Sequence, residues 1–243
     1  MKIMMNKLDK KYCAIALDGP AGAGKTTLAK ELAKEYGITY VDTGKMFRAI
    51  AFAVLKMCRR SDAALEDKVF LKGLLDKLTL SFVGTDVEIG IKDGERRMVE
   101  DTELRTEEIS FAASTVSKEP VVRAALLTLQ RDIAEKANVV MEGRDIGTVV
   151  LPNATVKFFL TANPETRADR RVKQLIEKGE KADYNTVYKQ LVARDKQDSE
   201  RETAPLVQAA DAILIDSTEL TLDEVKAVMM DNIETRAGIK KAY

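Results

Sequence analysis

"CAIALDGPAGAGKTT", residues 13 to 27, decides how the rest of the chain is read. Cys13 to Leu17 form a continuous apolar run with the length of a buried strand. Gly19-Pro20-Ala21-Gly22-Ala23-Gly24-Lys25-Thr26 follows almost at once. Leu28, Ala29, Leu32 and Ala33 then recur at helical spacing until Gly37 supplies a stop. Strand, glycine-rich turn and helix in that order make a phosphate cradle. Glycines let backbone N–H groups turn inward around an anion, and the helix aims its positive end at the same place. Lys25 would neutralise the β- and γ-phosphates of a nucleoside triphosphate, and the Thr26 hydroxyl would ligate magnesium. The expected ATP-binding stretch is Gly19, Pro20, Ala21, Gly22, Ala23, Gly24, Lys25, Thr26 and Thr27.

Outward from that stretch the same strand-helix alternation returns. "ITYV" (38–41), "NVVM" (138–141), "TVKFFL" (155–160) and "AILI" (212–215) read as further buried strands. An apolar helix carrying Met46, Phe47, Ile50 and Val54 follows the turn at Asp42-Thr43-Gly44. Helices are expected from Thr106, from Pro120, from Asn163-Pro164 to Gly179, over about 184–200, and after Thr221, which with Glu224 forms a capping-box pattern. Between them "LTLSF", "VEIGI" and "RRMV" are short alternating strands with turn signals at Gly84 and at Asp93-Gly94. The expected architecture is α/β, a P-loop NTPase-like fold. It has a five-stranded, mainly parallel sheet flanked by helices, a small antiparallel β insert and a helical lid. We read residues 1–243 as a single domain, with the core over about 13–73 and 137–235, an insert over about 74–112 and a lid over about 165–200.

Composition removes whole classes of chemistry. The 243 residues include no histidine, which excludes Ser-His-Asp and Cys-His catalysis and nearly every zinc site. Lys plus Arg and Asp plus Glu number 39 each, so no global field draws the chain to nucleic acid or to a membrane surface. Cys13 and Cys58 have neither metal nor redox spacing and suit a reducing compartment. The opening "MKIMMNKLDKK" is basic but has no apolar core or cleavage site, and no run is long enough to span a bilayer. A cytoplasmic monomer without nucleic-acid or membrane partners is the expectation.

"MEGRD" (141–145) closes a buried strand with Glu142, Arg144 and Asp145. Alone, Arg144 and Asp145 read more readily as a solvated ion pair or a helix cap than as a ligand site. In an open α/β sheet, however, ligands bind beyond the carboxyl ends of the strands. Residues 142–145, Gly19–Thr26 and Asp42–Gly44 all sit at such ends. The charged cluster therefore reads as the acceptor side of a cleft whose other side holds the triphosphate.

Four segments together carry a family resemblance: "LDGPAGAGKTT" (17–27), "VDTGKMFRAIA" (41–51), "MEGRDIGTVVLPNA" (141–154) and "ARDKQDSERETAPL" (193–206). The chain resembles bacterial cytidylate kinase, a P-loop nucleoside monophosphate kinase, from about residue 13 to 235. The resemblance implies transfer of the γ-phosphoryl group of ATP to CMP or dCMP, with Mg2+ as cofactor. It implies that Ser114, Arg123 and Asp145 read the cytosine and that Arg48, Arg144 and Arg201 lie near the monophosphate, with Arg105 a lesser candidate. Arg194 and Asp198 fall at the sugar. Arg167, Arg170 and Arg171 fall on the helix leading into the lid. Thr43 keeps a hydroxyl where the family often has serine. Phe47 lacks the phenol of the family's tyrosine, and Lys45 adds a charge where a small residue is common.

Elementary chemistry supports the same allocation. Cytosine offers an amino donor beside two acceptors, which calls for one carboxylate next to donors. Asp145, Arg123 and Ser114 are such a set. Lys25, Arg144, Asp145, Arg170 and Arg171 are the expected catalytic groups, because phosphoryl transfer needs positioning and charge neutralisation. Arg170 and Arg171 are read as phosphate ligands, Arg167 as an exposed helix charge. The CMP-binding set is Thr43, Arg48, Ser114, Arg123, Arg144, Asp145, Arg194, Asp198 and Arg201. Glu142 can hold magnesium through water. A P-loop kinase for another small molecule and an ATP-driven switch are the rival readings. The quartet Ser114, Arg123, Arg144 and Asp145 argues against the first, and arginines in the same chain around a second substrate site argue against the second.

Overall fold

The computed structural model describes residues 12–177 and 179–237, so the basic opening stretch lies outside the described residues. The first unit is β1 (Ala14–Asp18), α1 (Lys25–Tyr36), β2 (Thr39–Asp42) and α2 (Thr43–Phe52), which runs on as a π-helical turn, Ala53–Met57. Next comes α3 (Lys68–Leu75), which the apolar periodicity had not singled out. The insert follows as β3 (Leu78–Val83), β4 (Asp86–Ile91) and β5 (Arg96–Val99), then α4 (Asp101–Leu104), α5 (Glu107–Val116) and α6 (Pro120–Lys136). The last unit is β6 (Val139–Gly143), a π-helical turn at Ile146–Val150, β7 (Val156–Thr161), α7 (Pro164–Glu177), α8 (Tyr184–Glu200), β8 (Ile213–Asp216) and α9 (Leu222–Ala237).

The main sheet has the order β2-β6-β1-β7-β8, and every neighbouring pair is parallel. Such a sheet must be covered on both faces, and β1 shows how. Ala14 and Ala16 pack into an apolar cluster with Met46, Ile50 and Ile146, while Ile15 and Leu17 pack on the other face with Leu28, Leu32 and Met229. Chain leaving β1 enters α1 on one face, and chain leaving β6 enters the π-helical turn on the other. The crevice opens between those two neighbouring strands, at the switch point where open α/β sheets take ligands.

The three insert strands form a separate antiparallel sheet in the order β3-β4-β5. Its Val87, Ile89 and Val99 bury into the same cluster as Met46 and Ile50. The insert is thus packed against the wall of the crevice rather than hung from it. Helix starts follow the expected caps. Thr106 Oγ1 accepts the Ile109 N–H at 3.3 Å, Asn163 Oδ1 accepts the Thr166 N–H at 2.7 Å, and Thr221 and Glu224 cap one another reciprocally.

Candidate active site

A cleft of about 880 Å³ lies beyond the carboxyl ends of β1, β2 and β6, walled by α5 on one side and by α7 and α8 on the other. Its donor end is the phosphate loop. Gly19 has φ 145°, and a Cβ there would sit 1.9 Å from the Leu160 carbonyl oxygen, so only glycine lets the loop leave β1 against β7. Gly24 caps α1, whose first turn presents its N–H groups to the cleft. The Lys25 ammonium donates to the carbonyls of Gly19 at 2.7 Å and Pro20 at 2.6 Å. Burial, and then the charge of Arg144, pull its pKa well below the ordinary lysine value. An anion brought against Lys25 would reverse that.

Glu142, at the end of β6, stands beside Thr26. Thr26 Oγ1 donates to Glu142 Oε2 at 3.1 Å, and the Tyr40 hydroxyl donates to Oε1. Burial and then Asp42 push the Glu142 carboxyl above its usual range. Tyr40 was not among the expected residues, because its hydroxyl reaches the site from an ordinary strand position.

The acceptor end is made of ion pairs. Arg123 and Arg201 both face Asp145, Arg201 at 3.4 Å, and Arg123 also lies over the Phe47 ring with its guanidinium carbon 5.7 Å from the centroid. Burial pushes the Asp145 carboxyl above its ordinary range, and the charges of Arg123, Arg201 and Arg144 work against that rise. Arg144 Nε donates to Asp198 Oδ2 at 2.8 Å. Asp42 receives Arg48 at 2.9 Å and Arg105 at 3.0 Å, and Arg105 also holds Asp101 at 2.6 Å. Burial raises the Asp42 pKa, but Arg48, Arg105 and Lys45 together outweigh it and hold the carboxyl below the ordinary range. Burial and then repulsion from Arg144 bring Arg194 down to about 10. Ser114 Oγ, Arg48 Nε and Arg194 Nε are buried polar atoms with no protein partner, and all three residues line the cleft. Buried groups of this kind are normally satisfied, so they mark where a polar ligand docks.

All nine residues of the expected CMP-binding set line one cleft, together with Lys25, Thr26, Glu142 and Arg171. Two arginines lie elsewhere than expected. Arg167 is only 4% exposed and not a solvated charge: it donates to Ala162 O at 2.9 Å and Ala21 O at 3.0 Å and pairs with Asp195 at 2.6 Å, bracing the phosphate loop against α8. Arg170 is spent on Ser217 Oγ at 3.0 Å and Ser217 O at 2.6 Å, outside the cleft lining, so its place is the β8–α9 loop. Only Arg171 of the three reaches the cleft wall. Helical spacing put the three on one face but did not say what each long side chain would meet. Arg201, in the same cleft as Arg48, also comes within 3.4 Å of Asp145. Lys45 is not a free charge at the mouth: its ammonium donates to Thr85 O at 2.6 Å and pairs with Asp101 at 2.8 Å, joining α2 to the tip of the β3–β4 hairpin.

The cytidylate kinase family model matches residues 15–235. Cytidylate kinase of Exiguobacterium sp. is 46% identical over 216 residues, covering 89% of this chain and 94% of that protein. The chain belongs to the cytidylate kinase family. The cytidylate kinases of Thermosipho africanus, 44% identical with 94% and 97% covered, and of Ligilactobacillus salivarius, 46% identical with 93% and 98% covered, agree. A crystal structure of an uncharacterized protein from Eubacterium ventriosum superposes with a TM-score of 0.53 at 14% identity, covering 92% of this chain and 99% of that one, and shows a shared fold. As a cytidylate kinase family member the chain is a nucleoside monophosphate kinase, an enzyme whose family implies ATP as the phosphoryl donor.

Proposed function

We propose that the cleft moves the γ-phosphoryl group of ATP onto the 5′-phosphate of CMP or dCMP, giving ADP and CDP or dCDP. One observation carries the base preference: a buried carboxylate, Asp145, sits between Arg123 and Arg201, in the same cleft as the unpartnered Ser114 hydroxyl. Such a set matches an amino donor beside ring acceptors. Uracil would turn a carbonyl toward the carboxylate, a mismatch on the order of 1–3 kcal/mol per buried unsatisfied group.

In this reading Lys25 and the loop amides hold the β- and γ-phosphates. Arg48, Arg144, Arg194 and Arg171 surround the acceptor phosphate and the transferring group. An acceptor phosphate oxygen attacks the γ-phosphorus in line, the bond to the β–γ bridging oxygen breaks, and ADP leaves; the acceptor is already an anion and needs no strong base. The arginines relieve the repulsion between two polyanions and neutralise charge spread over the transferring group. The Thr26 hydroxyl and Glu142, which lie in hydrogen-bond contact, suit a hard cation with oxygen ligands. Among the described residues no group of three or more His, Cys, Asp or Glu could hold a metal ion. Mg2+ would supply further charge neutralisation there. We read α7 and α8 as a lid that closes over the phosphates and excludes water. No helix among the described residues is long and apolar enough to cross a membrane, and a cytoplasmic monomer is the proposed state.

Coupled assays of ADP formation with ATP and each nucleoside monophosphate test the reading. CMP should exceed UMP in kcat/KM by roughly ten- to a hundredfold. Equal efficiency with CMP and UMP would refute it.

A further inference from the structure

Asp18 is the last residue of β1 and directly precedes the phosphate loop. It is 4% exposed and does not line the cleft. Its two carboxylate oxygens accept consecutive backbone N–H groups from another part of the chain: Ile146 N to Oδ1 at 2.8 Å and Gly147 N to Oδ2 at 2.7 Å. Those amides open the π-helical turn that follows Asp145. The first N–H groups of any helix lack partners within it, and here a strand more than a hundred residues away supplies both acceptors.

The contact is tight. A Cβ on Gly147 would lie 3.3 Å from Asp18 Oδ2 and 3.1 Å from Lys157 Cδ, so glycine is what allows the carboxylate to come so near. Asp18 is also held in place from its own side, because its backbone is in register with Gly143 on β6. Lys25 attracts its charge and Asp145 repels it. A buried carboxylate facing another carboxylate is costly, and it persists here in spite of that. No neutral side chain replaces it fully. Asparagine would turn an NH2 group toward one of the two N–H donors, and serine offers one oxygen.

We propose that Asp18 is a positioning residue for acceptor recognition. It fixes the backbone that carries Arg144 and Asp145 to the same strand that launches the phosphate loop, and so sets the acceptor base at a defined distance from the donor phosphates. This rests on the reading of Asp145 as the base-recognition carboxylate. The donor loop is anchored separately, through Gly19 against Leu160 and through Lys25, so loss of the bracket falls mainly on the acceptor.

The test is steady-state kinetics of Asp18→Asn and Asp18→Ser, with ATP and the monophosphate varied separately. A displacement of about an ångström at a reacting group can cost up to a hundredfold. The expected result is an acceptor KM raised at least about tenfold, an ATP KM within about threefold of wild type, and a CMP-to-UMP ratio of kcat/KM that shrinks. Parallel changes in both KM values, or a lower melting temperature with acceptor KM and base ratio unchanged, overturn the proposal. Wild-type base preference is measured alongside, so failure of the cytosine reading is recognised separately. The KM split is then judged on whichever monophosphate the wild type uses. Should neither variant fold, amide exchange on the wild type decides. Ile146 and Gly147 should gain protection on adding the monophosphate and little on adding ATP; equal gains from ATP overturn the proposal.

Discussion

Around the donor loop, the groups that face the cleft are largely backbone amides, placed by one strand, one glycine-rich turn and one helix. Around the acceptor they are long charged side chains from α2, the α4–α5 turn, α6, α8 and its end, and the end of β6, paired with one another through Asp42, Asp145 and Asp198. The donor end is therefore insensitive to most side-chain identities. The acceptor end depends on where a dozen side chains point, and its arginines are held in register by carboxylates until a ligand's anions and polar edges can share them. A backbone site gives affinity for any polyphosphate; the paired side-chain site supplies the choice of partner.

Lys25 is the exception at the donor end, and removing it sharpens the contrast most. Lys25→Ala should lower kcat by roughly three orders of magnitude, because its charge matters most as the phosphoryl group transfers. CMP affinity, measured by calorimetry, should stay nearly constant. Asp145→Asn should have a smaller effect of a different kind, collapsing the roughly ten- to hundredfold CMP-over-UMP preference while ATP KM is preserved. Competition between the two monophosphates in one reaction reads this directly.

Arg171 and Arg170 form a neighbouring pair across the boundary of the cleft. Arg171→Ala should reduce kcat by about tenfold or more, since it takes a charge from the cleft wall. Arg170→Ala should act chiefly on melting temperature, through lost bonds to Ser217. A larger kinetic loss in Arg170→Ala than in Arg171→Ala would reverse the assignment. Lys45→Ala should raise CMP KM by about threefold with kcat nearly unchanged, because it frees the hairpin tip that Thr85 and Asp101 tie to α2. Faster amide exchange over 78–99 should accompany that change.

The smallest expected effect is on pH dependence. Burial lifts Asp18 from 3.8 to about 6. Folded protein therefore holds this proton more tightly than unfolded chain, and ionisation of Asp18 opposes folding. That opposition is absent below about pH 4, grows as pH rises, and is complete above about 6. Melting temperatures across pH 4 to 7 should thus show wild type losing ground to Asp18→Asn as pH rises. A constant difference across that range would contradict the shift.

Much of this was readable in the chain itself. Residues 13–37 announced a strand, a cradle and a helix because a P-loop is local chemistry: each glycine, the lysine and the threonine act within a few residues of one another. The five strands of the main sheet and the insert hairpins were legible for the same reason, since alternation, apolar runs and turn residues are short-range signals, although the edge strands β2 and β8 are only partly buried. Helix α3 was not, since no motif drew attention to residues 68–75. Tertiary structure alone decided which charges work at the site and which are spent elsewhere. Arg167, Arg170 and Arg171 occupy one helix face yet meet a buried carbonyl pair, a distant loop and the cleft. Asp18, Tyr40 and Asp42 carry no motif that names their partners. A long side chain spans several ångströms and pairs with whatever the packed elements bring within reach, so its destination is set by the arrangement of remote segments and not by its neighbours in sequence.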